Sequence, residues 1–273
     1  MTAAKAPPQG RRRFAPAPSL LFLARALRRG GEELAVTVAS RQVAARAREH
    51  PGVAAGIEFV YGFDLPGFDV GLAPIQVPGE LRQFLEIVGS GDARPLRAVL
   101  EIGTARGGTL FLLAAVAADD AIVISIDLPQ GRFGGGYAPR RARIYRRFAR
   151  PGQTVRLFRL DSHDPGTRER VVEALHGREL DLLLVDGDHT RDGLLADLRM
   201  YSGMVAAGGY VGLHDIVPGA PEHVGGGPAV WEELRALPGC VEIVENPAQG
   251  GYGIGLIRKA TPAGTPLTVP PSA

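Results

Sequence analysis

Between Arg97 and Ile216 the sequence sets down short apolar runs, each followed by a segment of helical character before the next run begins. RAVLEIG, AIVISIDLP, TVRLFRLD, LDLLLVDGD and YVGLHDI form the runs, and the apolar residues within them stand mostly side by side rather than at every second position. A strand that is apolar on both faces must be covered on both, which is the condition of a parallel sheet flanked by helices. Parallel neighbours also need a long crossover, and GGTLFLLAAVAADD, YAPRRARIYRRFAR, GTRERVVEALHG and RDGLLADLRMYSGMVAAGG predict the helices that supply it. The expected fold class is therefore α/β, a Rossmann-like, mostly parallel sheet with helices on both faces. PAVWEELRAL, VEIVEN and GYGIGLIRK predict one more helix and a closing pair of strands, and no internal repeat interrupts the pattern.

The flanks read differently. Residues 1–19 are rich in Pro, Ala and Arg and are expected to be disordered, as is the stretch 260–273 with its four prolines. Residues 20–74 are expected to form a helical extension and a lid: one or two Ala- and Arg-rich helices from Leu20 to about His50, then VYGFDLPGFDVGLAPIQVPGE, where Gly and Pro forbid long regular elements. Residues 75–259 hold the main domain. PGELRQFLEIVGSG reads as a short amphipathic helix at its start.

Composition narrows the function classes. The formal net charge of +2 demands no nucleic-acid partner, and a small-molecule ligand is expected instead. The single cysteine, Cys240, excludes an intramolecular disulfide and a multi-cysteine zinc site, and it reads as a core residue. GRRRFAPAPSLLFLARALRRGG has some features of a twin-arginine export signal. Its apolar run, however, is short, follows two prolines and is broken by Arg25, so a cytoplasmic location is expected. No apolar run approaches the roughly 20 residues of a membrane span.

In a sheet of this kind the ligand lies at the carboxyl ends of the strands, so the polar residues there are the candidates. The first strand ends in LEIGTARGGT and runs straight into a helix. Gly103 permits a tight turn with close ligand approach, and Gly107 and Gly108 let free amides of a helix N-terminus face the ligand; simple strand-to-helix packing is the plainer use of the same glycines. Ala105 stands where a dinucleotide fingerprint needs its second glycine. Glu101 suits a cationic ligand group better than a pyrophosphate. Asp127, ending the second strand, lies at the distance from the glycine turn at which an acidic residue meets a ribose diol. Asp161 and Ser162, in RLDSHD, suit an adenine edge or, equally, a helix cap. The glycines of PQGRFGGGY cannot pack a core and suggest a mobile lid over the ligand.

Asp186 ends the fourth strand, with Asp188 and His189 on the turn beyond it, and His214 and Asp215 end the fifth. Neighbouring parallel strands bring these ends within reach, so Asp186, Asp215 and His214 are the candidate ligands of one ion. Two carboxylates and water make a Mg²⁺ or Mn²⁺ site, whereas two histidines shift the preference toward Zn²⁺ or Fe²⁺. Asp188 is also a candidate cap for the helix starting near Thr190, and a lone His214 would read as a satisfied core histidine.

LEIGTARGGT, SIDLP, RLDS, LLLVDGDHT and GGYVGLHDI, in this order and spacing, resemble the class I S-adenosylmethionine-dependent methyltransferases. Within that class they are similar to the group with DGDH and HD motifs, often labelled cephalosporin-hydroxylase-like, and more distantly to the metal-dependent sugar and catechol O-methyltransferases. The resemblance covers roughly Ile75 to Lys259. It implies a seven-stranded sheet with an antiparallel last strand. It also implies S-adenosylmethionine as cofactor, with its methionine part by Glu101, Gly103, Thr104 and Gly107, its ribose on Asp127, its adenine near Asp161 and Ser162, and Asp186 adjoining it. In the metal-dependent relatives the fourth-strand aspartate and an acidic pair after the fifth strand hold the ion; Asp186 and Asp215 match, and His214 departs from the pattern. The catalytic base of the catechol-type relatives falls at His189, and that of the sugar-modifying relatives at Asp188.

The function expected from these readings is O-methylation of a hydroxyl on a small molecule, a sugar or secondary metabolite, assisted by a divalent metal. Two alternatives stand beside it: a metal-dependent hydroxylase using His189, His214 and Asp215, which would leave the glycine turn and Asp127 without a task, and a nucleotide-binding protein without turnover. The 20–50 region offers a contact for a homo-oligomer.

Overall fold

The computed structural model describes residues 20–90, 94–130 and 136–267, with side chains from Arg28 onward. The tail expected at 1–19, the last six residues of the other tail and the centre of the glycine-rich lid segment, residues 131–135, lie outside the described residues.

The strands are β1 (Ala98–Ile102), β2 (Ile122–Ile126), β3 (Thr154–Phe158), β4 (Leu180–Val185), β5 (Val205–His214), β6 (Cys240–Ile243) and β7 (Ile254–Arg258). They form one sheet in the order β3-β2-β1-β4-β5-β7-β6. β1 to β5 pair in parallel, and β7 runs antiparallel to both β5 and β6. This is the expected α/β fold with its antiparallel last strand. Full burial along β1, β2 and β4 is what unalternating apolar runs imply.

The helices are α1 (Leu20–Arg48), α2 (Val53–Gly62), α3 (Pro78–Val88), α4 (Gly108–Val116), α5 (Ala142–Tyr145), α6 (Pro165–Leu175), α7 (Arg191–Tyr201), α8 (Pro221–Val224) and α9 (Gly227–Leu234). Chain contacts separate residues 1–34 from residues 35–273 as two units. In the second, alternate residues along the strands feed two cores. Val99, Val123, Leu182 and Leu184 pack with α2, α3, α4 and the part of α1 from Ala35 onward, whereas Leu100, Ile124, Leu183 and Val185 pack with α6, α7 and α9.

Several local expectations change. The segment from Tyr137 to Arg150 forms only a 3₁₀ turn at Pro139–Arg141 and the short α5. Tertiary contacts override its helical pattern: the Arg141 guanidinium is drawn inward to Gly71 O (2.5 Å) and Arg106 O (2.9 Å). β5 begins at Val205, well before the expected Tyr210, because an irregularity in its register with β4 lets Val205 pair with Leu180, with Val205 and Ala206 both buried ahead of Gly208. Asp164, rather than Asp161 or Ser162, caps α6 by accepting from Gly166 N (2.8 Å). Thr190, rather than Asp188, caps α7 by accepting from Gly193 N (3.1 Å). Cys240 is only partly buried, its thiol donating to Leu234 O. Residues 260–267, expected to belong to a disordered tail, are tied to the fold through Lys259 Nζ donating to Pro262 O (2.9 Å), Gly264 N to Gly203 O (2.7 Å) and Leu267 N to Ser202 Oγ (2.9 Å). Among the described residues no helix is long and apolar enough to cross a membrane.

Candidate active site

The strand order reverses between β1 and β4, which opens a crevice at their carboxyl ends. The chain keeps β1 and β4 close beyond their last paired residues, since Asp186 N donates to Ile102 O (2.8 Å), while Gly103 N, donating to Ile126 O (2.9 Å), holds the same end to β2. Gly103 stands at φ +96°, and a Cβ there would lie 1.9 Å from Asp186 O, so no larger residue lets the first and fourth strand ends approach this way.

A cleft of about 330 Å³ occupies the crevice, a volume in the range of small-ligand sites. Its walls include Gly103, Thr104 and Gly107 from the glycine turn and Asp186, His189, His214 and Asp215 from the ends of β4 and β5. Seven of the sequence candidates thus meet in one place. Glu101, Asp127, Asp161, Ser162 and Asp188 do not line this cleft. Asp188 Oδ1 accepts from Thr190 N (2.9 Å), and Asp161 Oδ1 from His163 N (2.9 Å). Ser162 is buried, its carbonyl accepting from the Tyr201 hydroxyl (2.7 Å).

Asp127 sits beside the turn with both carboxylate oxygens engaged, accepting from Ala105 N (2.9 Å) and Gly136 N (2.8 Å). Burial pushes its carboxyl up to about 6 against the lowering effect of those amides. Glu101 is fully buried, and neither of its carboxyl oxygens has a hydrogen-bond partner. Burial first, and then the nearby Asp186 and Asp127, hold its carboxyl well above the usual range.

Donor atoms of Asp186, His189 and Asp215 all lie within 4.8 Å of one another. His189 Nε2 is 3.6 Å from Asp186 Oδ1, and its Nδ1 is 3.3 Å from Asp215 Oδ2 and 2.7 Å from His223 O. His214, expected as a ligand, is not in that trio. Its Nδ1 faces the same carboxylates, 3.0 Å from Asp186 Oδ1 and 3.4 Å from Asp215 Oδ1, and its Nε2 is buried without a partner. Burial alone would raise the Asp186 carboxyl, but His214 and His189 outweigh it and hold the group below the usual carboxylate range. For both imidazoles burial acts downward and the carboxylates win, which lifts His189 to about 9 and His214 well above its usual value. Asp215 adopts φ +59°, a left-handed conformation that costs a non-glycine residue energy and is frequent at functional sites.

Gln76, which no sequence pattern singles out, is buried and bridges the two halves of the site. Its Nε2 donates to Asp186 Oδ2 (3.1 Å), and its Oε1 accepts from Thr109 Oγ1 (3.0 Å). Its carbonyl in turn accepts from the Tyr61 hydroxyl (2.5 Å). A lone glutamine in a Pro-rich loop, 110 residues before its partner, carries no local signal. Glu222, His223 and Tyr252 also line the cleft from loops whose path the sequence pattern does not specify.

Residues 100–216 match the model of a family described as a methyltransferase domain, and no curated protein matches the chain. Among solved structures it is similar to the cofactor-bound protein Rv0187 from MTB (19% identity, 76% of this chain and 88% of that one, TM-score 0.47). It is also similar to the O-methyltransferase TomG from Streptomyces achromogenes in complex with SAM, involved in tomaymycin synthesis (16%, 76% and 89%, TM-score 0.46). An O-methyltransferase from Bacillus cereus in complex with SAH gives 18% identity over 76% and 90%, with a TM-score of 0.45. The matched region runs from within β1 to just past the end of β5 and so takes in the glycine turn and the ends of β4 and β5 that wall the cleft.

Proposed function

We propose that this protein transfers a methyl group from S-adenosylmethionine to a hydroxyl of a small molecule, a sugar or secondary metabolite. In this reading Asp186 and Asp215 hold a divalent cation and His189 takes the hydroxyl proton. The observation that supports it best is the meeting of two carboxylates and an imidazole beside the glycine turn of a methyltransferase domain. In this reading we assign the chain to the group with DGDH and HD motifs.

The residues present fit both groups. The close carboxylates of Asp186 and Asp215 are hard oxygen donors suited to a divalent ion, with the His189 imidazole beside them. Glu101, buried and unpartnered among the described residues, offers a carboxyl whose ionised form a cationic cofactor group would favour on binding. Thr104, Gly107 and the amides that follow orient the cofactor, and Asp127 keeps lone pairs for a ribose hydroxyl beyond its two backbone bonds. Asp161 and Ser162 are assigned to the adenine side.

When bound, S-adenosylmethionine supplies the reactive methyl, and a divalent cation supplies charge that lowers the acceptor hydroxyl's pKa and cancels the carboxylates' pull on His189. The chain does the rest. His189 Nδ1 donates to His223 O, which fixes the tautomer and leaves Nε2 as the proton acceptor on the side of Asp186. His214 orients both carboxylates. Asp188, turned to the α7 entry, leaves His189 as the base. Positioning within the cleft contributes most of the rate, as in other in-line transfers.

The test is to screen hydroxylated small molecules for a mass gain of one methyl group, with calorimetry of S-adenosylmethionine and 2-oxoglutarate alongside. His189→Ala should lower turnover by roughly 10²–10⁴-fold with cofactor affinity unchanged. Binding of 2-oxoglutarate in place of S-adenosylmethionine would replace the reading by a hydroxylase; cofactor binding with no methyl transfer to any acceptor would leave a binding protein.

A further inference from the structure

A second cleft, of about 770 Å³, shares no lining residue with the first. Its walls come from α1 beyond Ala35 and from α5 with the turn that follows it. Every charged side chain in them is an arginine: Arg41 and Arg48 on one side, Arg143, Arg146 and Arg147 on the other. The spacing explains the convergence. Ser40, Arg41, Ala44 and Arg48 share one face of α1, while Ile144, Tyr145 and Phe148 are buried and so turn Arg143, Arg146 and Arg147 outward.

Arginines near this cleft are otherwise paired: Arg46 with Glu49, Arg140 and Arg141 with Asp69, and Arg150 with Asp119. Arg41, Arg48, Arg146 and Arg147 have no carboxylate within ion-pair distance among the described residues, and no acidic side chain lines the cleft. A solvated basic face would spread such charges over a convex surface; here they surround a concavity, where their mutual repulsion is relieved only by an anion.

We propose that this cleft binds a small molecule carrying two or more phosphoryl groups. Guanidinium forks match phosphate oxygens bidentately, and four of them exceed what one phosphate can engage. The volume is in the range of small-ligand sites, and the Ser40 hydroxyl, also in the wall, has no partner among the described residues. The site is independent of the methyl-transfer reading, because it uses none of the same residues.

The experiment is calorimetric titration of the full chain with inorganic tripolyphosphate at low and moderate salt. The expected result is one saturable site, weakened by salt. The Arg41→Ala/Arg147→Ala double variant should lose tenfold or more in affinity, the effect of removing charged hydrogen bonds. Both residues are exposed, and unchanged circular dichroism would show that the variant is folded. Arg235→Ala, an exposed arginine outside the cleft, should bind as the parent does. Absence of a saturable site, equal binding by the double variant, or an equal loss in Arg235→Ala would overturn the proposal. So would an RNA oligonucleotide or phosphatidylglycerol vesicles that bind through Arg41 and Arg147 while tripolyphosphate fails to compete.

Discussion

Glu101 concentrates the physics of the site in one residue. It sits mid-sheet with no hydrogen-bond partner among the described residues, and burial followed by the charges of Asp186 and Asp127 favours its protonated form in the folded chain. In the unfolded chain the same carboxyl ionises above the ordinary glutamate value. Folding therefore takes up a proton here, and the contribution is present at low pH and lost as pH rises from the unfolded value toward the raised folded one. Asp127, raised to about 6, adds to the same trend. Glu101→Gln removes the ionisation while keeping the shape. We expect the variant to be more stable relative to the parent at pH 7 than near pH 4, because the parent alone must take up a proton to fold at the higher pH. Chemical denaturation at both pH values measures this; an equal difference at both would show that ionisation is not involved. The same substitution should weaken S-adenosylmethionine binding if the carboxyl serves the cation.

At the scale of elements, the loop between α2 and α3 is held on the glycine turn rather than standing free. A Cβ at Gly108 would lie 2.1 Å from Leu72 O and 2.7 Å from Pro74 Cδ, so the first turn of α4 and this loop are in backbone contact. Gly108→Ala should push the loop outward and take Gln76 away from Asp186 and Thr109. Cofactor affinity should then fall, whereas Gln76→Ala should spare the helix packing and lower turnover more than cofactor affinity. Calorimetry and steady-state kinetics on the two variants separate these effects; wild-type behaviour in both would show that the loop is only a cover. The far end of α4 depends on another segment. Arg150, 4% exposed, donates to Ala114 O (2.8 Å), Ala115 O (2.7 Å) and Ala117 O (2.7 Å), satisfying carbonyls that a helix C-terminus leaves open. Arg150→Ala should cost about 3 kcal/mol, the worth of two charged hydrogen bonds, measurable by denaturant unfolding.

For the whole molecule, the ends of β4 and β5 are fixed only when the sheet is complete, so an ion held between Asp186 and Asp215 binds the folded state and stabilises it by linkage. At a Mn²⁺ concentration about 100 times its dissociation constant the increment is about 2.7 kcal/mol. Thermal unfolding should shift upward with added Mn²⁺ and return on chelation, and Asp215→Asn should lose the shift while still binding S-adenosylmethionine. A midpoint indifferent to Mn²⁺ and EDTA, with full activity in EDTA, would leave His189 and His214 to do the acid–base chemistry without a metal.

The strand and helix alternation, the fold class and most of the cleft were legible in the chain, because an unalternating apolar run is a local property and the polar residues that end such runs are placed by the strands themselves. Gly103, Thr104, Gly107, Asp186, His189, His214 and Asp215 meet for that reason. The caps of α6 and α7 fall two to three residues beyond the candidates Asp161, Ser162 and Asp188, since Asp164 and Thr190 compete with equally good neighbours and only the path of the loop selects between them. Gln76, the unpartnered Glu101 and the arginine cleft were not legible at all. Each depends on segments far apart in sequence being packed together, and the free energies involved, desolvation and the repulsion or pairing of charges, are set by the distances and burial that packing creates.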